Sequence, residues 1–514
     1  MSCHARRVTE LAIRRSDRSA ADRPARALPG FAAGPVLTVA AGLAALLTAV
    51  SGRHGFHRDE LYFMAAGDRP AWGYTDQPPL TPLLARMSTT VFGDTPAGLR
   101  VVATLAAVLV VMLLALIARE LGGGRGAQLL AACCGAVSGL VMAFGHIVFT
   151  STVDLVAWLT ISWLVLRLLR TGDGRWYLAI GVAAGIGLQN KRLVALLLVG
   201  LLVAVLAVGP RRVLRTWWLA AGAAAALVIA APNLVWEATH GFPQLTVARG
   251  ISDEEGGENR VMFFVLQILQ LSPLLVPVWV AGLVRLWRDP AVRWARAFAV
   301  AYPVLVAVLL MFGGTSYYVV PLLMVAMAAG AVPVLHWAHT RLRTAALVAC
   351  LAVAGVVSAV ITLPLLPAGS ARMIAGLYDQ QGEQIGWPEM VGTVAGAWQQ
   401  IPQQDRDRAV IMVFNYGEAG AIEHYGPEHG LPKPYSAHMS FADWGPPPDS
   451  MDGPVLLVIV SDNRWVTPLF DDCRQVAKID NGYGLDNELW DDVVRLCAGP
   501  SRPWSQLWPS LRHY

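Results

Sequence analysis

The sequence predicts a polytopic α-helical membrane protein of about eleven transmembrane helices, followed by a small extracytoplasmic α/β domain. Of the 514 residues, 55% are hydrophobic and only 15% are charged, whereas a soluble domain usually carries about 25% charged residues. Many apolar stretches approach the roughly 20 residues that a helix needs to cross a bilayer. Clusters of arginine recur between these stretches, and a long segment with apolar strands follows the last one.

The predicted tail before the first span covers residues 1–29 and contains seven arginines, which favours a disordered cytoplasmic segment. The first apolar run is followed by charge at Arg53 and has no convincing cleavage site, so it predicts an uncleaved anchor. The eleven predicted spans lie near 32–52, 98–118, 127–147, 151–169, 176–189, 193–208, 217–234, 261–284, 297–312, 317–337 and 344–363.

The loops between the spans predict the orientation. Five clusters of arginine alternate with acidic segments, and all five fall on the same side as the arginine-rich tail. Since cytoplasmic loops carry the excess of Lys and Arg, we predict a cytoplasmic N-terminus in a multi-pass protein of the plasma membrane. The acidic loops 53–97 and 235–260 and the segment 364–514 are then extracytoplasmic. The clusters are Arg119/Arg125, Arg167/Arg170/Arg175, Arg211/Arg212/Arg215, Arg285/Arg288/Arg293/Arg296 and Arg341/Arg343.

Two predicted spans, 176–189 and 193–208, are unusually short and are separated only by Asn190, Lys191 and Arg192. At 1.5 Å per residue each is roughly 21–24 Å long, which is short for a full crossing. Two interpretations follow. Either two short helices meet at a polar triplet near the outer face, or one interrupted helix contains a re-entrant turn.

The segment 364–514 alternates helical and strand patterns. The runs Ala409–Asn415 and Pro454–Val460 predict buried strands, and residues 384–400 and 418–424 predict helices. Cys473 and Cys497 are the only two cysteines in the segment, and an oxidising compartment would allow a disulfide that stabilises the domain by about 3 kcal/mol. No Cys/His spacing indicates a zinc site, so we predict no metal and no cofactor.

The first outer loop carries the densest chemistry. Asp59 and Glu60 follow the first span directly, at the level of a lipid headgroup, where a carboxylate can act as a general base on an acceptor hydroxyl. The alternative is a solvated loop of ordinary acidic residues. The small net charge of +4 gives no indication of nucleic-acid binding.

The runs Arg58–Tyr62 and Gly73–Leu80, the second containing the turn Asp76-Gln77-Pro78-Pro79, resemble the first loop of the dolichyl-phosphate-mannose protein mannosyltransferase-like family. This is glycosyltransferase family 39, with the aminoarabinose transferases as relatives. The resemblance covers roughly residues 30–340. It implies a GT-C fold, with a catalytic domain over 30–363, and an enzyme that takes a sugar from a polyprenyl-phosphate donor on the outer leaflet.

The resemblance also implies binding residues for donor or acceptor. Asp76 belongs to the turn, and Asp154 matches the family's second acidic position, although an Asp at the start of a span can also cap the helix. Lys191 stands where relatives have Thr-Lys-Gly and would neutralise the donor phosphate, unless it is a snorkelling anchor. Arg192 departs from the family's glycine.

A late turn of the chain, Gly313–Leu322, resembles the relatives' turn before a late helix. Thr315 stands where relatives often have Lys, so one phosphate contact of the family is missing here. Tyr317 and Tyr318 would donate hydrogen bonds to the donor, or else form part of an interfacial aromatic belt.

These residues predict a glycosyltransferase that moves a sugar by a single inverting displacement. Asp59, with Glu60 as the second candidate, would deprotonate the acceptor, Lys191 would hold the departing phosphate, and Asp154 would orient a substrate. The partners are membrane lipid, the lipid-linked donor, and an extracytoplasmic protein, lipid or cell-envelope glycan as acceptor. A transporter or flippase for a lipid-linked sugar is the alternative, with the interrupted spans as its binding site. A non-catalytic scaffold that displays the C-terminal domain is a third candidate.

The orientation makes a direct prediction. Topology reporters fused after Arg212 and after Tyr514 should lie on opposite sides of the membrane, because an arginine cluster surrounds the first position and an external domain ends at the second. Reporter enzymes that are active on only one side of the membrane measure this. The same side for both fusions would contradict the predicted topology.

Overall fold

The computed structural model describes residues 28–461 and 465–514, except for the side chains of Glu254, Glu255 and Ala375. The predicted tail 1–29 therefore lies almost entirely outside the described residues.

The first two thirds of the described chain are helical. Its helices, numbered α1 to α16, are Ala33–Val50, Arg58–Gly67, Leu80–Phe92, Pro96–Leu99, Val101–Glu120, Arg125–Ala136, Gly139–His146, Thr150–Thr171, Trp176–Leu188, Leu193–Val208, Trp217–Thr239, Pro243–Leu271, Val276–Arg288, Ala297–Phe312, Val320–Trp337 and Arg341–Thr362.

The protein has the multi-pass character that the composition predicts. Within the described residues, six helical segments are long and apolar enough to cross a membrane singly, and two further pairs of helices would each form one bent span. The bent pairs are α6 with α7, at 60°, and the second half of α12 with α13, at 84°. Three apolar helices, α9, α10 and α14, are shorter. The count of eleven membrane crossings stays a prediction.

Two predicted boundaries are wrong. Residues 235–260, predicted as an outer loop, are helical in α11 up to Thr239 and again in α12 from Pro243. The predicted single span 261–284 is broken at Ser272, where the φ of 111° ends α12 before the next helix starts. The acidic residues of 253–258 concealed the helix, since they remove the apolar periodicity from its first half.

Helices α9 and α10 form a hairpin. Tyr177 at the start of α9 and Val205 near the end of α10 line the same apolar cavity of about 210 Å³, although a continuous helix would place them about 42 Å apart. The structure thus has the first of the two arrangements that the sequence allows. The hairpin tip touches the start of α3, where Leu80 N donates to Gln189 O over 2.9 Å and Thr81 Oγ1 donates to Asn190 Oδ1 over 2.6 Å.

Glycines allow the closest helix crossings. A Cβ on Gly282 of α13 would lie 1.7 Å from Ala326 O, and one on Gly330 of α15 would lie 1.9 Å from Val278 O. Small residues let membrane helices approach at backbone distance, where van der Waals packing replaces the missing hydrophobic drive. These two glycines therefore set the separation of α13 and α15.

The C-terminal part folds around a five-stranded sheet of order β2-β1-β3-β6-β5. Strand β1 runs parallel to β2 and β3, whereas β6 is antiparallel to β3 and β5. The strands β1 to β7 are Val410–Val413, Tyr435–Ser436, Val455–Val460, Phe470–Asp471, Arg474–Lys478, Asp492–Cys497 and Gly499–Pro500, and the helices α17 to α21 are Arg372–Ala375, Trp387–Trp398, Tyr416–Tyr425, Met439–Asp443 and Trp504–Leu511.

Both predicted strands and both predicted helices of this segment are present, as β1, β3, α18 and α19. Strands β5 and β6 were missed because their sequences mix charged and apolar residues without a regular period. Cys473 and Cys497 are joined by a disulfide where these two strands pair, which is the pairing that the sequence predicts.

The C-terminal domain has one buried cluster of its own, which includes Met412, Leu457 and Trp504, and it shares a second cluster with the first loop. Leu61, Tyr62 and Phe63 of α2 belong to the same buried cluster as Trp387 of α18 and Ile411 of β1. A Cβ on Gly420 of α19 would lie 2.8 Å from the backbone of Leu61. Because α2 follows the first membrane helix, the domain is packed onto the membrane part through the first loop.

We predict that Gly330→Val destabilises the protein by about 1–3 kcal/mol or more, since the added methyl groups overfill the α13–α15 contact. Thermal unfolding in detergent measures this. Gly42→Val is the matched control, because nothing lies within 4 Å of a Cβ at Gly42 in α1. Equal melting temperatures for both variants would contradict the proposed close contact.

Candidate active site

Helix α2 places the predicted acidic pair in its first turn. His57 caps the helix, and its ring nitrogen Nδ1 accepts a hydrogen bond from Asp59 N over 3.1 Å. In return, Glu60 Oε2 accepts from His57 N over 2.9 Å. This reciprocal capping box satisfies two backbone donors at once, so the positions of both carboxylates are fixed by the start of the helix.

Glu60 is fully buried and fully engaged. Arg100, equally buried, donates to its two oxygens over 3.0 and 2.7 Å, and Val148 N donates over 3.0 Å. Arg100 also donates to the carbonyl oxygens of Ser51 and Gly55. The carboxylate of Glu60 has its lone pairs occupied by these donors, so it holds the structure in place and has no access to a substrate.

Asp59, the neighbour of Glu60, remains accessible. Its side chain is 26% exposed and lies 3.8 Å from Arg58 Nε. The hydroxyl of Tyr416, at the start of α19, donates to Asp59 Oδ1 over 2.8 Å. Two adjacent residues of one helix therefore have opposite environments, one buried in an ion pair and one open to an incoming molecule.

Asp76 is partly buried and interacts electrostatically with Asp59. Tyr62 donates to its carboxylate, and Tyr62 also hydrogen-bonds Ser440 of the C-terminal domain over 2.7 Å. Burial raises the pKa of Asp76 to about 6, while the hydrogen bond from Tyr62 lowers it and the negative charge of Asp59 adds to the rise. Asp76 thus stabilises the first loop through hydrogen bonds, and its pKa depends on the charge of Asp59.

A second polar cluster surrounds Lys191 at the tip of the α9–α10 hairpin. Lys191 Nζ donates to Ser151 Oγ over 3.0 Å and lies 4.8 Å from the ring centre of Tyr318 and 5.4 Å from that of Tyr317. Among the described residues it forms no ion pair within 4.0 Å. Asp154, buried in the first turns of α8, interacts with Lys191 electrostatically, and one of its carboxylate oxygens has no hydrogen-bond partner in the described structure.

Arg192, next to Lys191, is neutralised instead. Its Nη2 lies 3.1 Å from Glu237 Oε1, and Glu237 is fully buried near the end of α11. Its Nε donates to Gln244 Oε1 over 2.8 Å. Arg192 therefore ties the hairpin tip to α11 and α12, while Lys191 is left as the cation that faces the cluster of Tyr317, Tyr318 and Asp154.

Aromatic rings connect the two polar clusters. The ring of His57 lies 5.1 Å from Phe149, Phe149 lies 5.8 Å from Phe144, and Phe144 lies 5.9 Å from Tyr317. The structure thus gathers Asp59 and Asp76 on one side of this row and Asp154, Lys191, Tyr317 and Tyr318 on the other. All of them lie at the end of the helix bundle that carries the C-terminal domain, at helix starts and loop tips.

The ion pair of Arg100 and the hydrogen bond from Tyr416 to Asp59 are not predicted from the sequence. The sequence does contain an indication that Arg100 is unusual. It stands at the outer end of a predicted span, whereas arginines normally collect on the cytoplasmic side of a membrane. Trp387, an aromatic residue of the C-terminal domain, is not placed to contact a sugar. Its ring is fully buried and its indole N–H donates to Glu383 O over 2.9 Å.

The described residues contain no group of three or more His, Cys, Asp or Glu side chains that could hold a metal ion.

The fold is that of a GT-C membrane protein. ArnT from Cupriavidus metallidurans bound to undecaprenyl phosphate matches with a TM-score of 0.59 and 15% identity, over 90% of this chain and 99% of that chain. The arabinofuranosyltransferase AftD from Mycobacteria matches with a TM-score of 0.51 and 14% identity, over 91% of this chain and 40% of that chain.

The family model for dolichyl-phosphate-mannose-protein mannosyltransferase matches residues 76–236. This match confirms the resemblance to glycosyltransferase family 39 that the first loop shows. Among curated proteins, no sequence is similar enough to this chain to count as a match.

We predict that Arg100→Met destabilises the protein by about 3–5 kcal/mol, because it leaves the buried Glu60 carboxylate without its partner. Arg86→Met is the control. It removes an ion pair with Asp68 in which both side chains are 57% exposed, and exposed pairs contribute about 0–1 kcal/mol. Thermal unfolding of both variants in detergent tests this, and similar losses would contradict the structural role of Arg100.

Proposed function

We propose that this protein is a membrane glycosyltransferase that transfers a sugar from a polyprenyl-phosphate donor to an acceptor on the extracytoplasmic side. The observation that carries the proposal is the pair of clusters at one end of the bundle: an accessible carboxylate, Asp59, and a cation, Lys191, that forms no ion pair within 4.0 Å with any described residue. A displacement at an anomeric carbon needs a base on one side and a counter-charge for the leaving phosphate on the other.

Asp59 would remove the proton from the acceptor hydroxyl. It is the only one of the two adjacent carboxylates with an accessible side chain, since Glu60 is held by Arg100. We therefore assign the role of base to Asp59 and a supporting role to Glu60. The acceptor oxygen, having given its proton to Asp59, would attack the anomeric carbon from one side while the phosphate leaves from the other, so that the configuration of this carbon inverts.

Lys191 would bind the phosphate of the donor and stabilise the charge that it gains on departure. Among the described residues its ammonium group contacts Ser151 Oγ and two tyrosine rings and interacts electrostatically with Asp154, but it forms no ion pair within 4.0 Å, so the site can accept the phosphate as a closer anionic partner. Tyr317 and Tyr318 could donate to the same phosphate, and Asp154 would orient a hydroxyl of donor or acceptor. Undecaprenyl phosphate, which the ArnT structure holds, belongs to the chemical class of lipid that we propose here.

The proposed topology has the N-terminus in the cytoplasm, the membrane catalytic domain over 30–363 and the extracytoplasmic domain over 364–514. Both clusters then face the outer leaflet, on the side of the C-terminal domain. The location of the polar groups favours an enzyme over the alternative, a transporter or flippase, because such proteins place their substrate sites near the bilayer midplane. Here Asp59 begins α2, Asp154 lies in the first turns of α8, and Lys191 lies between two helices.

The test uses the purified full-length protein in lipid nanodiscs with a panel of radiolabelled polyprenyl-phosphate sugars and membrane extract as the acceptor source. Transfer is measured as the release of polyprenyl phosphate and as label in the acceptor fraction.

We predict that Asp59→Asn lowers kcat about 10²–10⁴-fold, because the amide retains the shape of the carboxylate but cannot take a proton. Asp68→Asn, an exposed change at the end of the same helix, should retain wild-type activity.

Lys191→Met separates the two roles in the same assay. Loss of one charged hydrogen bond to phosphate, worth about 1.5–3 kcal/mol, should raise KM for the donor as well as lower kcat.

Normal transfer by Asp59→Asn at equal expression would show that Asp59 is not the base. In sealed proteoliposomes, movement of intact lipid-linked sugar across the membrane with no released polyprenyl phosphate would favour the flippase.

A further inference from the structure

We propose that Tyr416 of the C-terminal domain is a positioning residue that aims the Asp59 carboxylate, so that the domain completes the acceptor-activating site. This inference rests on the proposed function. It assigns a task to a domain for which the sequence offered none. The contact that carries it is the hydrogen bond of 2.8 Å from Tyr416 Oη to Asp59 Oδ1, which joins residues 357 positions apart in the chain.

The start of α19 fixes the position of the Tyr416 ring. Asn415 caps this helix, with its Oδ1 accepting from Gly417 N over 2.6 Å, while Glu418 Oε2 accepts from Asn415 N over 2.9 Å. The backbone N–H of Tyr416 itself donates to His438 Nδ1 over 3.2 Å. The ring thus extends from a backbone that is held by three hydrogen bonds, a rigid arrangement for a residue that must place one hydroxyl.

The docking of α19 onto α2 brings this hydroxyl within reach of Asp59. A Cβ on Gly417 would lie 2.9 Å from Cβ of Arg58, and one on Gly420 would lie 2.8 Å from the backbone of Leu61. Two glycines spaced by three positions therefore let the two helices touch at backbone distance. Arg58 forms an ion pair with Glu488 of the C-terminal domain, which fastens the same contact beside Asp59.

Tyr416 acts as a hydrogen-bond donor. Burial and the negative charge of Asp59 raise the pKa of Tyr416 well above its usual value, so the phenol keeps its proton. A single donor on Oδ1 stabilises the ionised carboxylate and fixes its rotation, while Oδ2 has no hydrogen-bond partner in the described structure and stays available to the acceptor hydroxyl.

The other charged groups around Asp59 remain unchanged when the Tyr416 hydroxyl is removed. They come from three elements, namely the start of α2, the turn after it and the C-terminal domain: Arg58, His57, Glu60, Asp76 and Glu488. A change in the pH dependence of Tyr416→Phe can therefore be assigned to the lost donor.

The first experiment compares Tyr416→Phe with Tyr425→Phe in the nanodisc transfer assay across pH 4–9 (a range chosen to include the ordinary Asp pKa of about 4). Both changes remove one hydroxyl from α19, but Tyr425 makes ring contacts with Phe56 and His424 and no hydrogen bond to Asp59.

Tyr416→Phe should lower kcat about 10- to 100-fold, the effect of one hydrogen bond to a charged group. The acid limb of its pH–kcat profile should move to higher pH, because loss of the donor disfavours the ionised carboxylate. Donor KM should stay within twofold, and Tyr425→Phe should match the wild type.

The second experiment does not depend on transfer. A double-mutant cycle of thermal unfolding combines Tyr416→Phe with Asp59→Asn, and the two effects should not add, since the residues share one contact. Additive effects, or a kcat loss without a shift in the pH profile, would overturn the positioning role. A wild-type protein that lacks transfer activity but shows non-additive unfolding would instead refute the proposed function and leave the Tyr416–Asp59 contact established.

Discussion

The ion pair between Glu60 and Arg100 is the constraint on which the candidate site depends. It is fully buried, and its arginine also binds the carbonyl oxygens that follow the first membrane helix and the side chain of Gln384. Burying two charges costs much unless their remaining donors and acceptors are satisfied, and here they are. The pair joins the start of α2, the start of α5 and the C-terminal domain at one point, so the direction of α2, and with it the position of Asp59, follows from this single cluster.

The C-terminal domain and the membrane helices are packed together through α2. The helix buries its apolar side in the core of the domain, and its first turn supplies the carboxylates. Tyr62 on the buried side contacts both Asp76 and Ser440, so the loop turn and the domain meet through one phenol. A displacement of the domain would therefore alter the carboxylates directly, without any change in the membrane helices.

Much of this arrangement could be predicted from the sequence, for identifiable reasons. Apolar runs of sufficient length gave the positions of the helices, and the spacing of Asp59 from the first span gave the location of the site. The different fates of Asp59 and Glu60 could not be read from two adjacent acidic residues, because the difference arises from Arg100, 40 positions away. The contact of Tyr416 could not be predicted either, since no local pattern indicates a partner 357 positions earlier. The lengths of the two short spans are compatible with two arrangements, because the length of a helix does not say on which side of the membrane the chain returns.

The short hairpin of α9 and α10 has a consequence for the surrounding lipid. Its helices contain 13 and 16 residues, about 20 and 24 Å, whereas a typical hydrocarbon core is about 30 Å thick. A membrane adapts to such a deficit by thinning locally, at a cost of fractions of a kcal/mol per Å. In the proposed topology both helices cross the membrane, and the polar tip with Lys191 would lie below the average headgroup plane, in a depression of the leaflet. Bilayers of longer acyl chains resist this deformation, so membrane thickness would then affect how readily the proposed lipid phosphate reaches the lysine.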